Sequence, residues 1–143
     1  MSMRKFADHV IAVANLEGDR ISNLQLQKIM YFAVGDFIIE NGITPQLRRM
    51  YDEPFEAWTY GPVVRSQYFR FSGFGRYPIF SDGNYDVDYE DFDKHIIKYL
   101  DENINVLVEE SHEHSTWWNN KEKIARQEKV VYSLENIAND FSE

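Results

Sequence analysis

A mainly helical fold with a small β element follows from three observations. The stretch Ile21–Gly42 is a capped helix with almost no polar face. Shorter segments at 3–16, 63–71, 88–103, 106–114 and 134–141 repeat apolar residues at helical spacing. Residues 55–60 alternate instead with the two-residue period of a strand. The expected architecture is a compact helical domain around a central buried helix, about 22–41. A two-stranded β element at about 55–60 and 77–80 completes it.

The central helix opens on a strong signal. Ser22 occupies the N-cap and Gln25 follows three residues later, forming the S-x-x-Q capping box, with Ile21 and Leu26 placed as a hydrophobic staple. Gly42 supplies the positive-φ residue that ends a helix. Between them Ile29 to Val34 run without a polar break, and Phe37, Ile38 and Ile39 follow. Gln25, Asp36 and Glu40 leave only a narrow polar strip. A helix apolar nearly all round is a buried one and needs neighbours on several sides. Ile29 and Phe32 project closest to the polar strip, covered either by this chain or by a partner.

The other elements can be justified in order. Residues 3–16 set Phe6, Val10, Val13 and Ala14 on one helical face, and Gly18-Asp19 break it. The short turn that follows favours antiparallel packing on the central helix. Pro45 suits the first position of a single helical turn through Met50. In the strand, Phe55, Ala57 and Thr59 share one side, and Glu56, Trp58 and Tyr60 the other. Gly61-Pro62 is expected to stop it and to start a helix carrying Val64, Tyr68 and Phe71. Tyr77 to Phe80 reads as a second short strand, followed by a turn at Ser81-Asp82-Gly83-Asn84. Acids at Asp88, Glu90 and Asp91 suit the positive start of a helix carrying Phe92, Ile96, Tyr99 and Leu100. Val106 to His114 is a further helix, Thr116 to Asn120 a break, 121–128 loop or short helix, and Ser133 caps a last helix through Phe141.

Composition narrows the function classes. The 143 residues suffice for one domain, with no repeat and no linker. There is no cysteine, so disulfides and thiol chemistry are excluded. No apolar run reaches membrane-spanning length, and no signal-type apolar region follows Met1, so a soluble, cytoplasmic protein is expected. Net charge is −9. That argues against broad phosphate-backbone binding, favours encounter with basic partners and aids solubility.

No phosphate loop, nucleophile elbow or dinucleotide fingerprint occurs, and neither catalysis nor a cofactor is expected. His112-Glu113-His114 is the sharpest metal candidate, but the two imidazoles diverge on a helix and suit a helix C-terminus better. The acidic run 82–93 fails a calcium loop, since Asp91 falls where glycine belongs and Ile97 where glutamate belongs. Trp58 and Tyr60 beside Arg65 and Arg70 either stack on a ligand or belong to the core. Trp117 and Trp118 cannot both point inward from one local geometry, which makes an exposed ring there a candidate contact surface. The candidate partner contacts are Phe32, Arg65, Arg70 and Trp118. Nucleic-acid binding would need Arg48, Arg49, Arg65 and Arg70 gathered on one face, and is not expected.

Three blocks carry a family resemblance. They are Leu24 to Ala33 with its LQK-x-x-Y-x-A pattern, Glu53 to Val64 with Tyr68, and Leu107 through Ser111-His112 to Trp117. The ending, Val130-Val131-Tyr132-Ser133 into Ile137 and Phe141, adds to them. Together they resemble the Panacea domain, the SocA-like antitoxin family also found in phage and prophage proteins. The resemblance implies a single-domain antitoxin that neutralises a toxin protein encoded beside it, by direct binding. It also admits an adaptor that delivers the toxin to a Clp protease, and is compatible with a homo-oligomer. Some members carry an added DNA-binding domain, for which this chain has no room. The shared residues, Leu26, Gln27, Lys28, Tyr31, Ala57, Trp58, Tyr60, Gly61, Pro62, Val63 and Tyr68, read as structural.

Overall fold

The central helix is buried by its own chain along most of its length and is exposed at Ile39 to Asn41. The computed structural model describes residues 1–143. Helix α1 (Met3–Leu16) leads through a short turn into the central helix α2 (Asn23–Asn41), and a single helical turn α3 (Pro45–Met50) follows. Strands β1 (Phe55–Trp58) and β2 (Gly61–Val64) precede α4 (Arg65–Arg70). The second half is helical: α5 (Asp93–Leu100), α6 (Ile104–Glu113), α7 (Ser115–Trp118), α8 (Lys121–Ala125) and α9 (Leu134–Phe141). No helix is long and apolar enough to cross a membrane.

The capping box at Ser22 and Gln25 forms in both directions, and the C-cap Gly42 takes φ 75°. Ile29 and Phe32 are each 2% exposed. Phe32 meets the rings of Tyr99, His114 and Phe141 at 5.2, 5.9 and 5.6 Å. It therefore lies inside the core and presents no surface for a partner. Helices α1 and α5 pack on α2 and on each other, with Phe92 joining Phe6 and Phe37 at ring distances of 4.9 and 4.5 Å. His9 ties the start of α5 to α1: Asp86 N–H donates to its Nδ1 at 3.0 Å, which leaves Nε2 to donate to Asp93 at 2.6 Å.

The β element is not the one expected. Strand β1 pairs antiparallel with β2, from Phe55 opposite Val64 to Trp58 opposite Gly61, and not with residues 77–80. The turn is only two residues, Thr59-Tyr60, so closing it costs far less entropy than bridging to residue 77. Gly61 takes φ 100°, a conformation favouring glycine. Pro62 therefore lies in a strand and not at a helix start, and α4 begins at Arg65. Residues 78–79 instead make one bridge to the start of α2, with Ile79 N–H donating to Ile21 O at 2.8 Å. The other edge of β1 is taken by the chain returning at 130–132: Ala57 N–H donates to Val130 O at 2.8 Å and Tyr132 N–H to Phe55 O at 2.9 Å. The expected break at 116–120 holds a single turn, α7.

Candidate functional site

The outer edge of β2 has no strand beside it, and α2 supplies the missing partners. Gln27 and Lys28 are fully buried. Gln27 Oε1 accepts from Val64 N–H at 2.8 Å, and Lys28 Nζ donates to Pro62 O at 2.5 Å. Gln27 Nε2 donates to Asn23 Oδ1 at 3.1 Å, and Asn23 Nδ2 donates to Tyr68 O at 2.9 Å. The polar residues of the LQK block thus satisfy backbone groups that would otherwise be buried unpaired. Burial without a carboxylate lowers the Lys28 pKa to about 7. Gly61 lies against Lys28 and Ser111, and a Cβ there would overlap the Ser111 hydroxyl.

The third block reaches the same hairpin from α6 and α7. Trp117 Nε1 donates to Trp58 O at 2.9 Å. His112 stacks on the Trp117 ring with centroids 3.8 Å apart. Burial holds the His112 pKa below its ordinary value, opposed by the neighbouring Thr59 backbone. The five-residue step from His112 to Trp117, weak as a motif, crosses the α6–α7 corner and brings the two rings together. All three blocks converge on residues 55–64.

What they hold in place is a groove of about 680 Å³ on the outer side of the hairpin. Its lining includes Trp58, Tyr60, Arg65 and Tyr68 from the hairpin and α4, and Ile124 and Gln127 to Val130 from α8 and the chain that follows it. Trp58 meets Tyr68 and Phe69 edge-on at 5.0 and 6.1 Å, and Tyr60 is 64% exposed. The part of the lining at 127–129 carried no signal in the sequence. It exists because the chain returns along β1, and Gln127, the one non-glycine residue with positive φ (62°), turns it there.

The other candidate positions are dispersed. Arg65 lies at the groove with its guanidinium 5.1 Å over the Phe69 ring. Arg70 pairs with Asp8 at 2.8 Å and fastens α4 to α1. Trp118 is 53% exposed with Lys121 Nζ 3.4 Å over its ring, while Trp117 turns inward to the hairpin. Arg48 pairs with Glu135 at 3.2 Å, away from the segment that carries Arg65 and Arg70. His112 and His114 diverge as helical neighbours do: His114 Nδ1 lies 2.6 Å from Tyr31 OH. Asp88 and Glu90 sit in the first turn of a short 3₁₀ segment, 87–92, ahead of α5.

No family model matches the chain, and no solved structure matches it. It is similar to antitoxin SocA of Caulobacter vibrioides, at 44% identity over 71 residues, 45% of this chain and 35% of that protein. The match spans about a third of the relative's length.

Proposed function

We propose that this chain is an antitoxin of the Panacea type, neutralising a toxin protein by direct contact. The observation that carries this reading is the 44% identity to antitoxin SocA. The three motif blocks support it from inside the molecule, because they build one object, the hairpin and its groove. The protein acts in the cytoplasm as a binder and not as an enzyme, and belongs with phage- or prophage-borne systems. Its partner is the protein encoded beside it. Co-expression tests this: the neighbouring product alone should arrest growth, and adding this chain should restore it. An innocuous neighbour, or arrest that persists, removes the reading.

We favour masking over delivery to a Clp protease. Masking leaves the toxin level unchanged on rescue, whereas delivery depletes the toxin only in cells that hold the protease. Immunoblots of the toxin in cells with and without that protease distinguish the two.

A further inference from the structure

We propose that the groove beside the hairpin receives an acidic segment of the partner protein, a carboxylate flanked by an apolar side chain. The inference rests on the antitoxin reading and names the chemistry of its contact.

The charge distribution carries it. The molecule is acidic overall, at −9, yet no Asp or Glu occurs between Glu56 and Asp82, a stretch with three arginines. Two cations, Arg65 and Lys129, line the groove. Neither is among the ion-paired cations, which are Arg20, Arg48, Arg70, Lys94, Lys98 and Arg126. One of the groove's two acids is neutralised by an ion pair, and the other makes only a hydrogen bond. Glu128 accepts from Arg126 Nε at 2.6 Å, and Glu56 Oε1 accepts from the Trp58 indole at 3.4 Å. The Arg65 guanidinium lies 5.1 Å over the Phe69 ring, and its planar fork is suited to a carboxylate.

The mode of binding follows by elimination. The hairpin itself accepts no added strand, since β1 is bonded on both edges and β2 is closed by Gln27 and Lys28. On the hairpin side the occupant is met by side chains. Trp58, Tyr60 and Tyr68 add aromatic lining beside the two cations, and a groove of about 680 Å³ admits a few side chains. Gln127 takes its positive φ as the residue that ends α8, its N–H donating to Ile124 O and that of Glu128 to Lys123 O, both at 2.9 Å. A nucleic-acid strand is disfavoured, because the remaining surface repels a polyanion.

The test combines co-expression with titration of the purified full chain against the neighbouring gene's product. Arg65→Glu with Lys129→Glu should abolish rescue and weaken binding by roughly tenfold or more, at an unchanged melting temperature. Arg65→Gln with Lys129→Gln should fall between, and serves if the first variant melts early. Arg4→Glu with Lys5→Glu, an equal charge change elsewhere at two exposed positions, should still rescue. Rescue by Arg65→Glu/Lys129→Glu overturns the inference, and a tightened complex does so as well by revealing a basic partner surface. Binding of a labelled oligothymidylate at physiological salt, lost in the same variant, overturns it in favour of nucleic acid. Failure of the unmodified chain to rescue removes the antitoxin reading, and this inference with it.

Discussion

Lys28 is a buried amine whose environment disfavours its charge. Its pKa falls to about 7 in the folded chain, from 10.5 in the open. The unfolded chain therefore binds more protons between those values, and stability rises with pH across that window, by up to about 1.4 kcal/mol per unit. Urea titrations between about pH 7 and 9 should show this rise, and Lys28→Met should flatten it. Gly61 is constrained twice, by φ 100° and by the Ser111 hydroxyl facing it. Gly61→Ala should cost about 2 kcal/mol or more, read as a lower urea midpoint with similar slope. Sequence reasoning marked both residues as structural. It did not reveal that they touch the same hairpin, because Lys28 and Pro62 are 34 positions apart.

At the scale of elements, the helices were the legible part. The capping box of α2, the Ser133 cap of α9, the proline start of α3 and the apolar spacing of α1 are local chemistry, and each formed where its residues directed. The β pairing was not legible, because alternation in Phe55–Trp58 says nothing about the partner strand. Two-residue turn closure and the side chains of Gln27 and Lys28 decided it. Two substitutions probe such joints. Trp117→Phe removes the donor to Trp58 O and should cost about 1 kcal/mol. Hydrogen exchange should quicken at the amides of residues 57 and 64 while α1 stays protected. Gly35 of α2 admits the Phe141 ring of α9 against its backbone, with no room for a Cβ. Gly35→Ala should displace α9 and lower stability by roughly 1–3 kcal/mol. A midpoint equal to that of the unmodified chain would refute this packing.

At the scale of the whole molecule, three histidines set the acid limit. Burial holds His95, His112 and His114 below their ordinary pKa. As pH falls below about 6.5 the unfolded chain takes up protons first, so stability declines. Asp140 and Glu110 are shifted the other way by burial and give some stability back at lower pH. Denaturation midpoints should therefore drop between about pH 7 and 5.5. A flat profile would show that the three rings stay solvated.

The sequence by itself determined that the chain is helical, that Ile21–Gly42 lies at its centre, and where most helices begin and end. These depend on neighbours within a few residues, through caps, apolar spacing and turn residues. Only the tertiary structure decided that Phe32 is core, that Arg70 is a fastener and that Arg65 stands free beside a groove. It alone brought residues 58–68 opposite 124–130. The groove is made by segments about sixty residues apart. No local pattern encodes such a meeting; it follows from how the chain returns along β1 after the core has closed.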